Sequence, residues 1–184
     1  MSDNERKTWI MLKKADQNKY IHFDSNVIPQ FTSSTAVDDY GTWTCSGSGM
    51  KSGSAYKTLD LSTKTFIRSL GSTVTNRYMR VQLNLPENVE ICAEEFEFYG
   101  KDWGSDFVMY FEGYNIETNA WETITALTTI TTNISTIKMP ATVTKYYNKF
   151  RWSNYNRSYS SREDYTDCYE LRITKGTLKV KPEK

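Results

Sequence analysis

Residues 106–124 read DFVMYFEGYNIETNAWETI, and their pattern decides the fold. Phe107, Met109 and Phe111 fall on one face and Val108, Tyr110 and Glu112 on the other, the period of two that a strand requires. Beyond Gly113 and Tyr114, residues 115–119 (NIETN) are rich in turn formers. Trp121, Thr123 and Thr125 then resume on one face of a second strand. The stretch is predicted to be a β-hairpin.

Working outward, strand signals recur on both sides. Tyr78 to Leu85 alternates, as does Ile91 to Tyr99, with Ile91, Ala93 and Glu95 against Cys92, Glu94, Phe96 and Phe98 and a slip of phase within the run. Thr123 to Ile137 is Thr-rich and β-branched, which disfavours a helix. Tyr146 to Trp152 and Tyr169 to Val180 supply the last strands. Near the N-terminus, Thr8 to Leu12 and Lys19 to Phe23 flank a polar segment and form a short hairpin extension over residues 1–25, ahead of one sandwich over 26–184. Residues 26–53 read as loop with a single short strand around Thr42 to Cys45, because CSGSGMKSGS (45–54) is dense in flexible residues. Ser54 to Asp60 is predicted as one or two helical turns, and no longer helical stripe is present. Short strands at roughly ten-residue spacing without helices make an all-β sandwich or barrel.

Composition narrows the function classes. At 184 residues the chain fits one domain that buries roughly two-thirds of its unfolded surface. The 23 basic and 22 acidic residues nearly cancel, so no global field draws it to nucleic acid. Three cysteines, Cys45, Cys92 and Cys168, with no C-x-x-C pair, read as reduced, buried thiols and not as a disulfide framework or a zinc site. The start MSDNERKTWIMLKK lacks the apolar stretch of a secretory signal, and no run approaches the ~18 apolar residues of a membrane span, so cytoplasmic synthesis without membrane insertion is expected.

Catalytic arrangements find little support. His22 is the only histidine, so a Ser-His-Asp or Cys-His site depends on that one residue, and an edge-strand position suits it better. Met50 separates Gly49 from Lys51, which breaks any phosphate-loop reading of the Gly-Ser run. The acids Glu94, Glu95, Glu97, Asp102, Asp106 and Glu112 are available for glycoside hydrolysis, but no spacing selects a pair.

Three pieces, taken in order, resemble the discoidin or coagulation-factor type C family and the family 32 carbohydrate-binding modules that share its fold. They are SAYKTLDLSTKTFIRS (54–69), the opening stretch, and KYYNKFRW (145–152) followed by CYELRI (168–173). The resemblance spans about Val27 to Val180 and implies a galactose-binding-like jelly-roll β-sandwich. Leu61 stands where that family has Gly, Phe66 where it has Trp, and 114–117 (YNIE) where it has Ser-Asn-Asp-Gly. The segment VIPQFTSSTA (27–36) resembles the lead-in of discoidin-like domains in bacteriophage tail and virion proteins. The family often binds one Ca²⁺, and the matching positions are Asp60, the loop to Thr65, and Glu170. Hard oxygen ligands suit that ion.

Residues 152–165, WSNYNRSYSSREDY, interleave Trp152, Tyr155, Tyr159 and Tyr165 with Asn154, Arg157, Arg162 and Asp164. Rings that stack on sugars beside groups that bond hydroxyls describe a glycan site, and the same composition describes a protein-protein hot spot or a self-packed loop. Trp43 and Trp103 sit in polar surroundings and are secondary binding candidates, whereas Trp121 reads as core. Together these readings point to a non-enzymatic virion structural protein of a phage tail or capsid, with a glycan- or protein-binding loop end. Its expected partners are other virion proteins, further copies of itself and cell-surface glycans, with no nucleic acid. A free-standing carbohydrate-binding module is the alternative, and a glycoside hydrolase the third.

Overall fold

The computed structural model describes residues 17–69, 78–102, 107–128, 133–142, 144–156 and 165–182. Its strands are β1 (Lys19–Phe23), β2 (Thr35–Asp38), β3 (Gly41–Ser48), β4 (Met50–Ser52), β5 (Ile67–Ser69), β6 (Tyr78–Asn84), β7 (Val89–Asp102), β8 (Phe107–Asn115), β9 (Ala120–Leu127), β10 (Ser135–Pro140), β11 (Lys149–Asn156) and β12 (Thr166–Val180). A single 3-10 turn, Ala55–Thr58, falls where a short helix is expected. The strands form two antiparallel sheets, one ordered β10-β7-β12-β5-β4 with β1 also paired to β12, the other ordered β2-β3-β6-β11-β8-β9.

The hairpin of the opening stretch is present as β8 and β9, paired from Met109 with Leu127 to Asn115 with Ala120. Its turn closes because Asn115 Oδ1 accepts the Glu117 backbone N–H at 2.9 Å while Asn119 takes a left-handed φ of 52°. The phase slip read in β7 is also real. Ile91 and Ala93 point inward at one end and Phe96 and Phe98 at the other. β12 absorbs the change with register shifts between Ile173 and Lys175 and between Lys175 and Gly176.

Between the sheets lies a core whose centre is aromatic. Phe96 of β7 meets Phe111 of β8 at 5.1 Å between ring centroids, and lies edge-on to Phe150 and Trp152 of β11 at 6.0 and 6.4 Å. These rings join one sheet to the other, and each is nearly or wholly removed from solvent.

One expectation needs correction. Residues 26–53 hold three strands, not one, because Ala36, Trp43 and Cys45 alternate inward under the polar letters. Gly47 is a packing residue, since an added Cβ would stand 2.8 Å from Met50 Cε and 2.9 Å from Ala55 Cβ. Gly49, with φ of 70°, is the pivot at which the chain leaves β3 in one sheet for β4 in the other. At the N-terminus, β1 pairs with β12. Its expected hairpin partner, Thr8 to Leu12, lies outside the described residues.

Candidate functional site at one end of the sandwich

Antiparallel registers bring one set of strand ends together. The ends of β3, β5, β7, β9 and β11 and the starts of β6, β8, β10 and β12 meet at the same end. Residues 69, 102 and 156 and residues 78, 107 and 165 therefore lie at this end.

Beside it, on the outer face of the sheet that holds β12, a basic and aromatic cluster forms. Alternation along β5 and the residue before it turns Phe66 and Arg68 outward, and alternation along β12 and the residue before it turns out Tyr165, Asp167 and Tyr169. The register sets Asp167 opposite Arg68, whose Nε and Nη2 donate to the Asp167 carboxylate at 2.6 and 2.8 Å. That bond and the charge behind it hold the Arg68 pKa above its usual value. Tyr165 lies between two cations, with Lys51 Nζ 4.3 Å from its ring centroid and Arg68 5.3 Å from it, and Lys51 Nζ also donates to the Tyr165 hydroxyl. Phe66 continues the patch against Tyr169 at 5.2 Å, and Tyr169 against Tyr99 at 5.7 Å. Burial, with the Asp167 charge, raises the Tyr169 phenol.

The sequence-predicted residues divide accordingly. Tyr165 belongs to this cluster, and Tyr155 is half-buried near the end of β11. Trp152 and Trp43 do not line a site; they are 2% and 0% exposed and belong to the core, so their place as ligand-binding candidates is corrected. Each faces the opposite sheet because strand alternation puts it in phase with buried neighbours, Phe150 for one and Cys45 for the other. Asn154 follows in the same inward phase, 1% exposed, with neither amide atom at hydrogen-bond distance from a partner. Arg157, Tyr159, Arg162 and Trp103 lie outside the described residues. Sequence reading missed Lys51, Phe66, Arg68, Asp167 and Tyr169. The signal available was the every-second-residue spacing of Phe66 with Arg68 and of Tyr165, Asp167 and Tyr169.

Trp121, read as core, is half-buried on the outer face of the other sheet, with the Arg151 guanidinium 4.3 Å over its ring. His22 is exposed on β1 with Nδ1 2.8 Å from Thr177 Oγ1. All three cysteines are free. Burial pushes the Cys45 thiol up to about 11 and raises that of Cys168 as well, so neither is a nucleophile near neutral pH.

The calcium positions also converge. Thr65 Oγ1 donates to Asp60 Oδ2 at 2.6 Å, with the Lys57 and Ser62 carbonyl oxygens each 3.4 Å from the same hydroxyl. The Ser62 backbone N–H donates to Asp60 Oδ1, and Leu61 between them adopts a left-handed φ of 56°, the conformation its glycine counterpart would take freely. Glu170 is fully buried beside this loop, and neither carboxylate oxygen has a hydrogen-bond partner; Arg172 Nε is 3.6 Å away. Burial pushes Glu170 up to about 7, with Arg172 opposing the rise and the Asp60 charge adding to it. An orphaned buried carboxylate beside a second carboxylate, a hydroxyl and two carbonyls is a hard-oxygen donor set, which fits Ca²⁺ better than a soft metal. Among the described residues no cluster of three or more His, Cys, Asp or Glu is placed for a metal, so most of the shell would come from neutral oxygens.

No protein-family model and no curated protein matches the sequence. Solved structures do. A chitosan-binding module derived from a chitosanase/glucanase of Paenibacillus sp. IK-5 is similar at a TM-score of 0.52 and 13% identity, over 73% of this chain and 92% of that one. The family 32 carbohydrate-binding module of NanJ from C. perfringens, in complex with galactose, is similar at 0.53 and 9%, over 73% and 93%. CpGH89CBM32-5 from Clostridium perfringens, in complex with GalNAc-beta-1,3-galactose, is similar at 0.51 and 9%, over 71% and 93%. Likeness at such low identity establishes the fold: the chain is an all-β, galactose-binding-like sandwich of the kind found in family 32 carbohydrate-binding modules.

Proposed function

We propose that the protein is a non-enzymatic binding module that takes a glycan at the loop-bearing end of the sandwich and serves as a bacteriophage virion structural protein. The observation that carries the binding role is the Lys51, Tyr165, Arg68, Phe66 and Tyr169 cluster beside the strand ends that carry 157–164. Rings offer apolar faces to a sugar while Lys51 and Arg68 offer donors to its hydroxyls. Arg68 is held rigid by its fork to Asp167, so little freedom is lost on binding. The virion half of the reading is supported by the likeness of residues 27–36 to virion lead-ins. Display of many copies, on a homo-oligomer or among other virion proteins, would turn weak single-site sugar binding into firm attachment to a cell surface. Asp60, Thr65 and Glu170 would hold a structural Ca²⁺ behind this end.

A glycan array with wild-type protein and Tyr165→Ala tests the binding role. Binding by the wild type that drops at least about tenfold in the variant is expected, as for loss of a stacking ring in a small site. No bound sugar on the array overturns it. Trp152→Ala is the wrong probe, because emptying that core volume costs about 3–5 kcal/mol and reports unfolding. Mass spectrometry and electron microscopy of purified particles test the virion role, which fails if the protein is only ever found free. The second reading, a free-standing carbohydrate-binding module, is favoured by the fold likeness to a module derived from a chitosanase/glucanase.

A further inference from the structure

Three hollows lie in a row on the outer side of the sheet that holds β12, toward the end opposite the Arg68 cluster. The first, of ≈ 350 Å³ beside the β8–β9 turn, shares Thr144 and Tyr146 with the second, of ≈ 580 Å³. The second shares Glu94 and Lys175 with the third, of ≈ 300 Å³ beside the end of β1, so the three form one path. Strand register builds its floor. His22, Thr177 and Cys92 stand in one row across β1, β12 and β7, and Tyr20, Lys179 and Glu90 in the next such row. Gly176, at a register shift of β12, lines the third hollow, and the close approach there admits no side chain: an added Cβ would stand 2.3 Å from the Cys92 carbonyl oxygen and 3.0 Å from Phe23 Cζ.

Apolar surface and charge follow one another along this path in a definite order. Tyr20 and Ile116, 55% and 56% exposed, flank its first part, where Tyr20 lies edge-on to Tyr146 at 6.0 Å between ring centroids. Pro140 and Ala141 continue the apolar lining in the second hollow. The lysines are already matched: Lys175 to Glu94 at 3.3 Å, Lys145 to Glu122 at 2.9 Å, and Lys179 together with Lys181 to Glu90. Asp24 at one end and Glu117 at the other are exposed carboxylates with no cation paired to them among the described residues. An occupant with an apolar centre and cations at both ends complements such a path.

Residues 6–14 of this chain, RKTWIMLKK, have that layout: Arg6 and Lys7, then Trp9 to Leu12, then Lys13 and Lys14. The chain also brings them there. Residues 15–18 span up to about 13 Å when extended, and beyond them Lys19 is followed by Tyr20, which already meets Tyr146. We propose that residues 6–14 seat along this path as a strap, with Trp9 to Leu12 against Tyr146, Pro140 and Ala141, Lys13 and Lys14 toward Glu117, and Arg6 and Lys7 toward Asp24. Nine extended residues reach about 30 Å, of which the two strand spacings from β7 to β1 take about 10 Å. Seated there, the strap covers Cys92 in the second hollow, whereas pairing of Thr8 to Leu12 with the edge of β1 would leave that cysteine open.

Iodoacetamide labelling of Cys92 in the full chain at about pH 9, read by peptide mass spectrometry, tests the strap; an alkaline pH is needed because burial, with the Glu94 charge, raises the Cys92 thiol. Trp9→Asp with Ile10→Asp is expected to speed labelling about tenfold, the protection given by a strap seated about nine-tenths of the time. Asp24→Lys with Glu117→Lys, which removes the end carboxylates and repels the strap, is expected to speed it several-fold. Cys45 and Cys168 are buried and should stay unlabelled in every variant, which reports an intact fold. Should the Asp24 and Glu117 substitutions expose them, a synthetic peptide of residues 4–16 added to the Trp9→Asp, Ile10→Asp chain gives the second reading, restored protection of Cys92. The proposal is overturned by labelling that these substitutions do not speed, the result expected of edge pairing with β1. It is overturned equally by protection that grows with chain concentration, which would assign the groove to the same segment of a second copy.

Discussion

Glu170 and Leu61 are where single residues depart from what their neighbours would dictate. Glu170 is buried with a folded-state pKa of about 7, above the ordinary carboxylate value near 4.3, so the fold favours the neutral acid. The stability it contributes is complete below about pH 4.3 and is lost as pH rises from there to about 7, by at most about 4 kcal/mol. Thermal unfolding of EDTA-treated protein should therefore show a midpoint that falls from pH 5 to pH 8, and Glu170→Gln should flatten that profile. Added Ca²⁺ should restore the wild-type midpoint at pH 8 and leave Glu170→Gln unchanged. A flat wild-type profile would remove the physical basis for both effects. Leu61 is 45% exposed and held at a left-handed φ, so it pays backbone strain with little burial in return. Leu61→Gly should raise unfolding free energy by about 0.5–1 kcal/mol in urea titration, strain relief of about 1–2 kcal/mol less the entropy of the added glycine. That the loop needs this conformation was legible from the resemblance, since Leu61 replaces a glycine there. That Glu170 would be orphaned was not, because only packing reveals which partners fail to arrive.

Elements were read well where alternation was clean and poorly where small polar residues masked it. The β8–β9 hairpin, β6 and β7 follow from period-two patterning, and β11 and β12 fall where the last strands are expected. In β3 the letters Ser46, Gly47 and Ser48 look like a turn, yet the strand continues through them because Trp43 and Cys45 are already anchored inward. The same hairpin that announces the fold depends on one glycine. An added Cβ at Gly113 would stand 2.5 Å from ring carbons of Tyr147. That ring cannot easily withdraw, because its hydroxyl donates to Glu122 at 3.0 Å and its backbone bridges to Ile91. Gly113→Ala should cost about 1–3 kcal/mol, measurable as a lower urea midpoint at unchanged slope.

At the scale of the whole molecule, β12 is the spine. It pairs with β7 along its length, with β5 near one end and with β1 near the other. β1 thereby covers an edge of β12, and its Ile21 and Phe23 pack against the core. Removal of residues 1–25 should lower unfolding free energy by about 2–3 kcal/mol through lost apolar burial. It should also promote self-association through the bared edge, seen by light scattering. A truncated chain as stable and as monomeric as the full one would show that β1 is dispensable.

By itself the sequence determined the all-β class, most strand positions, the hairpin, the short turn at Ala55–Thr58 and the resemblance to a galactose-binding-like sandwich. Each of these rests on local periodicity or on motifs a few residues long. Tertiary structure alone decided which aromatics are buried and which are presented. Trp152 and Trp43 went to the core while Tyr165, Phe66 and Tyr169 gathered outside, because burial depends on the phase of each strand against the opposite sheet. The cluster of Lys51, Arg68, Asp167 and Tyr165 joins residues about a hundred positions apart, through the pairing of β5 with β12. Such a pairing is fixed by the register of distant strands, which no local pattern records.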